Sequence, residues 1–292
     1  MLTPRPLPRF RPLHKYKRPK PRKQMTVCIA AITQQNEIVT VSDTMLTHAL
    51  GSADAVTSKM DPFAKEWCAM WAADDMTQCA PIIEKAERYF RNRANTLQVA
   101  RSCMKRAYQK HLSEIAADRV LGRFQMDVET FTKSGKRRFT ETQFNSLNDE
   151  IRKVEWSGQF LAFGFDQQRQ PHIFTVVEPG IDCVYDRVGF CAIGSGGMAA
   201  ESLLFHLRQT RICTFANSLI NCLFAKFMAE GAGAGRQTFV FCKKFGSTMY
   251  SMPIWLEPTA RQIWEERVSP RTPDDFLHCV ASAVSDGQIY LG

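Results

Sequence analysis

Two apolar, β-branched runs open the folded part of the chain, TVCIAAIT at 26–33 and EIVTVSD at 37–43. The polar turn QQN separates them, a pattern that predicts a β-hairpin with an apolar buried face. EWCAMWAA at 66–73 predicts a third strand. PIIEKAERYFRN then sets Ile82, Ile83, Ala86 and Tyr89 at helical spacing, and the segment from Leu97 to Leu121 continues that period. A polar, charged stretch at about 120–155, containing SGKRR, reads as a surface insertion with short helices. QFLAFGFD at 159–166 and HIFTVV at 172–177 predict a second hairpin, and GFCAIGSGG a strand running into a glycine-rich turn. Helices are expected from about Met198 to Arg208 and at about 214–229, where Leu219, Ile220, Leu223, Phe224 and Phe227 share a face. RQTFVFC at 236–242 predicts a further strand, and weaker periodicity predicts helices near 257–266 and 273–284. Strands, paired helices, strands, paired helices and a strand imply helices outside two stacked, mainly antiparallel sheets.

Composition changes this picture in one place. Of the formal net charge of +9, all is carried by residues 1–25, which hold nine basic residues, no acid and six prolines. The remaining body balances 29 basic against 29 acidic residues, so it lacks the basic footprint of a nucleic-acid binder. The tail itself predicts disorder and has no signal-peptide core; it reads as a mistranslated upstream stretch or solvated arm, with a tether to an anionic surface or nucleic acid, or a cleaved propeptide, as the alternatives. Residues 26–292 are expected to form a single domain. No run approaches the roughly 18 apolar residues of a membrane span. The ten cysteines are scattered without a CxxC pair and no HExxH occurs, so no metal or other cofactor is predicted. The cysteines read as reduced thiols of a cytoplasmic protein.

Met25 followed at once by Thr26 raises a chemical possibility. A free N-terminal threonine carries a hydroxyl nucleophile and, in its own α-amine of ordinary pKa about 8, a general base. Asp43 stands 17 residues further on and Lys59 a further 16, so a buried lysine would have a carboxylate partner. Each residue alone has an ordinary explanation, as a strand former, a turn residue and a surface charge.

Together, Thr26, Asp43 and Lys59 resemble the proteasome β-subunit family of N-terminal nucleophile hydrolases, in which Thr, Asp and Lys follow nearly this spacing. FLAFGFDQQRQPHIFTVVEPG is similar to that family's second hairpin, and CAIGSGG to its Gly-Ser-Gly turn, which maps a supporting serine onto Ser195. MAEGAGAGRQTFVF is similar to the segment in which an acid precedes a Ser-Gly-Gly turn and a strand. The likeness covers about residues 26–245 and is nearest to bacterial proteasome-like proteins that open with Met-Thr and a hairpin. It implies an α+β, four-layer αββα sandwich and a threonine-type peptidase or amidase acting through an acyl-ester on Thr26. It also implies a peptide or small amide substrate and a homo-oligomer.

Departures accompany the likeness. Glu230 stands where the family has an aspartate, and Gly233 where a serine follows. The oxyanion-hole glycine falls on Ala73, whose methyl is expected to narrow the approach. The insertion and the extension from about 250 have no counterpart in ordinary β-subunits. A catalytically inactive scaffold or binding protein of the same fold is the alternative. GSGGMA at 194–199 also satisfies a dinucleotide fingerprint, but that reading needs a parallel strand and an acid about 20 residues on. No acid lies between Glu201 and Glu230. Cys28, two residues inside a strand, reads as a small buried hydrophobe and not as a nucleophile.

Overall fold

A computed structural model describes residues 26–48, 51–54, 58–73, 75–253 and 255–269. The basic tail and the helix expected near 273–284 lie outside the described residues. The first hairpin forms as β1 (Cys28–Ile32) and β2 (Ile38–Asp43), followed by a two-stranded ribbon, β3 (Met45–His48) with β4 (Gly51–Asp54). The other strands are β5 (Met60–Ala64), β6 (Trp67–Ala72), β7 (Gln159–Phe165), β8 (Pro171–Val177), β9 (Ile181–Val184), β10 (Phe190–Ile193), β11 (Thr238–Lys243) and β12 (Tyr250–Ser251). They build two five-stranded sheets of order β10-β1-β2-β11-β12 and β5-β6-β7-β8-β9, and every pairing is antiparallel.

Each sheet is covered on both faces, which is why β1, β2 and β6 are buried throughout and β1 and β6 are apolar at every position instead of alternating. On one face of β1, Cys28, Ala30 and Ile32 pack against Met70, Leu161, Phe163 and Ile173 of the second sheet. On the other, Val27, Ile29 and Ala31 pack against α5 (Gly197–His206), α6 (Phe215–Gly231) and Trp264, just beyond α7 (Leu256–Ile263). The second sheet turns Trp67, Ala69, Trp71, Phe160 and Phe174 toward α1 (Cys79–Phe90) and α2 (Leu97–Ala116). The result is the expected αββα sandwich. The sequence reading gave the first hairpin one buried face; both are buried.

The insertion folds as α3 (Val128–Arg138) and α4 (Glu141–Arg152), the latter started by a capping box between Thr140 and Gln143. It has a small core of its own, Leu121, Met126, Phe131 and Leu147. Helix α2 stops at Ala116 and gives way to a wider turn at Ala117–Leu121, where periodicity alone had continued it. Among the described residues no helix is long and apolar enough to cross a membrane. The GSGGMA turn follows a strand paired antiparallel to β1, which rules out the βαβ unit that a dinucleotide site requires.

At the end of the second sheet where β6 begins, the His172 ring stacks on Trp67 with centroids 6.0 Å apart. Its Nδ1 lies 2.6 Å from Asp186 Oδ2 and its Nε2 3.2 Å from Asp166 Oδ2. Burial opposes the imidazolium, yet the two carboxylates prevail and raise its pKa above the ordinary value. A raised folded pKa contributes stability that is complete below the unfolded value of about 6.5 and is lost as pH rises through the folded one. The thermal stability advantage of the native chain over His172→Gln is therefore expected to be larger at pH 6 than at pH 9. An equal advantage at both would show that the imidazolium pairing contributes nothing.

Candidate active site

The hairpin and the glycine-rich turn meet at one end of the sandwich. Thr26 lies just ahead of β1, between the end of β2 on one side and the turn after β10 on the other. The Asp43 backbone N–H donates to the Val27 carbonyl, and the Gly196 N–H donates to the Thr26 carbonyl at 3.1 Å. Gly194 makes this approach feasible. Its φ is +89°, and a Cβ there would stand 2.2 Å from the Thr26 carbonyl oxygen. Gln159 of the second sheet accepts the Gly194 N–H through Oε1 at 2.9 Å, so the turn is anchored from across the sandwich.

Lys59 comes from the second sheet. Its carbonyl accepts the Trp71 N–H, which extends the β5–β6 pairing by one residue and aims the side chain back toward β1. The ammonium donates to Asp43 Oδ1 at 2.6 Å and to Thr26 Oγ1 at 3.0 Å. Asp43 is fully buried, and the Lys59 side chain is 4% exposed. An isolated ion at such a depth costs several kcal/mol, so this pair persists because its hydrogen bonds are made. Asp43 Oδ1 also accepts the Val27 N–H at 3.4 Å, and Oδ2 accepts the Gly235 N–H at 2.9 Å. Burial pushes the Asp43 carboxyl above its ordinary range, while Lys59 and the two amides pull against that.

Ser195 faces the same point. Its Oγ accepts the Thr26 backbone N–H at 3.2 Å, so it contacts the nitrogen that would be the α-amine in a chain beginning at Thr26. Thr26, Asp43, Lys59 and Ser195 are thus brought together from four separate segments. Hydroxyl, ammonium and carboxylate form one hydrogen-bonded line, with the threonine nitrogen beside its own Oγ1. A lysine donating to a hydroxyl oxygen lowers the cost of removing the hydroxyl proton, and the adjacent nitrogen is where that proton would go.

Two expected members lie elsewhere. The Glu230 carboxylate is held by Lys226 and Arg261, with Arg261 donating to Oε2 at 2.7 Å and Oε1 at 2.9 Å. That leaves the glutamate in a separate ion cluster instead of on the Thr26 nitrogen. Ala73 directly follows β6, but its methyl packs on the outer core beneath α1 and α2, away from the approach it was expected to narrow. The neighbouring Ala72 turns inward and lies beside the position that a Gly194 Cβ would take. Cys28 Sγ donates to the Trp71 carbonyl at 3.4 Å, and burial holds its pKa up at about 12, so it remains a thiol.

The sequence reading missed Gly235, Lys226 and Arg261. Lys226 had a signal, being a lysine four residues before Glu230 on an otherwise apolar helix. The Gly235 amide and Arg261, 31 residues after Glu230, had none. Among the described residues no group of His, Cys, Asp and Glu side chains has the arrangement of a metal site.

No family model matches this chain, and no curated protein matches it. Solved structures match it in shape. Anbu (ancestral beta-subunit) from Yersinia bercovieri aligns with a TM-score of 0.58 at 10% identity, over 91% of this chain and 100% of that one. A mutant of Anbu from Hyphomicrobium sp. strain MC1 aligns with a TM-score of 0.56 at 10% identity, over 89% of this chain and 96% of that one. Together with two antiparallel sheets between helical layers, these likenesses show that the chain shares its αββα fold with the Anbu structures.

Proposed function

We propose that this chain is a threonine-type N-terminal nucleophile hydrolase, cleaving a peptide or small amide once the residues ahead of Thr26 are removed. The observation that carries the reading is the buried Lys59 ammonium, which spends its hydrogen bonds on Asp43 and on the Thr26 hydroxyl. A purely structural ion pair has no need of a strand-end hydroxyl as its second acceptor. In the proposed reaction Thr26 Oγ1 attacks the substrate carbonyl carbon while the α-amine takes the hydroxyl proton. The proton passes to the departing amine as the amide bond breaks. Water then hydrolyses the acyl-ester and regenerates the hydroxyl. Ser195 orients the α-amine, and Asp43 keeps Lys59 charged and aimed.

One observation favours the inactive-scaffold alternative. Glu230, which by resemblance should help to hold the amine, is engaged by Lys226 and Arg261. The true N-terminus decides between the two. Intact-mass measurement on protein made in its own host is expected to give a chain beginning at Thr26. A mature chain in which another residue still precedes Thr26 overturns the hydrolase reading, because an acylated nitrogen is no base.

A further inference from the structure

The ion cluster around Glu230 is joined to the Thr26 site through five residues of backbone. Arg261, from α7, donates to both oxygens of Glu230, to Glu257 Oε1 at 2.7 Å, and to the Arg236 carbonyl at 3.0 Å. Lys226, whose side chain is wholly buried, donates to Glu230 and to the same Arg236 carbonyl at 2.6 Å. Two cations thus grip one carbonyl oxygen. The amide of the preceding residue, Gly235, donates to Asp43 Oδ2. The 232–236 loop is pinned at Arg236 to the cluster and at Gly235 to the carboxylate that holds Lys59. It carries a glycine at φ +106°, Gly233, and leaves the end of α6 by a tight turn.

We infer that Arg261 is a positioning residue for the Thr26 site: from the C-terminal helix it fixes the 232–236 loop, and through the Gly235 amide it sets the orientation of Asp43 and Lys59. The catalytic role given to it rests on the hydrolase reading; the mechanical link does not. Its chemistry suits the task. A guanidinium stays charged in any usable pH range and offers a rigid fork of donors, so it can bind the Glu230 carboxylate through two nitrogens and still reach the carbonyl. Hydrogen bonding to Glu230 raises its pKa further. Lys226 alone is a poorer clamp, because burial, and after it the neighbouring Arg261 charge, push its ammonium below the ordinary value against the pull of Glu230 and, more weakly, Asp43. Without the Gly235 amide, the Asp43 carboxylate keeps Lys59 and Val27 on one oxygen and loses its hold on the other. The carboxylate is then free to turn, and the ammonium turns with it. A displacement of about 1 Å at a reacting group costs roughly a hundredfold in rate. Helix α7 follows the last strand of the first sheet, so the loop beside the site is held by an element outside both sheets.

The test uses Arg261→Gln and Arg261→Lys. The cluster opens on a cavity of about 420 Å³ beside α6 and α7, where water can replace the lost donors, and Lys226 still neutralises Glu230. The first readout is lysine-15N NMR of the Lys59 ammonium in the full chain, assigned by its disappearance in Lys59→Arg. Arg261→Gln is expected to displace that resonance and to speed exchange of its protons about tenfold, with partial recovery in Arg261→Lys. The second is the pH profile of Thr26 labelling, in protein beginning at Thr26, by an electrophile that closes a ring across Oγ1 and the α-amine. The variant is expected to shift that profile and to slow labelling tenfold to a hundredfold. An unmoved Lys59 resonance together with an unmoved profile overturns the inference, even if the melting temperature falls, since a merely structural role would do that much. Wild-type protein that never labels overturns the hydrolase reading instead, and the NMR arm still decides whether Arg261 sets Lys59.

Discussion

Replacing Lys59 with alanine in protein beginning at Thr26 is expected to slow labelling of the threonine by that ring-closing electrophile by about 10²- to 10⁴-fold, the range over which positioned proton-transfer groups act. The ammonium lies 3.0 Å from Oγ1 and is the charged donor that makes the oxygen easier to deprotonate. Its removal takes that away while leaving the α-amine in place. The variant should still fold. A buried Asp43 without its cation would be costly if it stayed ionised, but burial already pushes its carboxyl upward, and it can take a proton and remain bonded to the Val27 and Gly235 amides. Circular dichroism separates the two effects. A folded Lys59→Ala protein that labels at the wild-type rate would remove Lys59 from the mechanism and leave the ion pair as architecture.

Gly194→Ala is expected to destabilise the chain by about 2 to 5 kcal/mol, combining backbone strain at positive φ with overpacking. The added carbon would stand 2.2 Å from the Thr26 carbonyl oxygen and 3.3 Å from the Ala72 methyl. Backbone lies on one side and a strand residue on the other, so neither can yield without moving β1 or β6. Gly246 supplies the comparison. It too has positive φ, +71°, but nothing stands within 4 Å of its missing Cβ, so Gly246→Ala should show the conformational cost alone, about 1 to 2 kcal/mol. Denaturant midpoints of the two variants check this, and equal losses would show that close approach at the site contributes nothing.

Thr26, Asp43 and Lys59 were singled out together by the family resemblance of their spacing, since each alone had an ordinary explanation, and the structure brings the three side chains within hydrogen-bonding distance. Thr26 and Asp43 are brought together by the β1–β2 register, which pairs Cys28 with Ser42. Ser195 came from the same resemblance, through the glycine-rich turn, and the pairing of β10 with β1 is what carries it to Thr26. Strand β5 was not legible in the sequence. Its five residues include Pro62 at a break in register, which an edge strand tolerates and which interrupts the pattern a reader would look for. Nor was β9, whose mostly exposed IDCV has no buried face to set a period. Glu230 was misplaced because a carboxylate goes to its best partners. One of these was four residues away on the same helix, and the other belonged to an extension for which the resemblance offered no guide. Ala73 illustrates a smaller error of the same kind. The residue was matched by resemblance to an oxyanion-hole glycine and its methyl expected at the approach, but the alternation of side chains along β6 sends Ala72 inward and Ala73 to the outer core.

The hydroxyl and the carboxylate stand on one sheet and the ammonium on the other, held at bonding distance by the packed interior between the sheets and by cross-sheet bonds such as that of Gln159. Neither half of the molecule holds the hydroxyl and the ammonium together by itself. If the hydrolase reading holds, a nascent or partly denatured polypeptide would lack the cation beside its threonine, and full reactivity would serve as a certificate that the two layers have closed on each other in the right alignment.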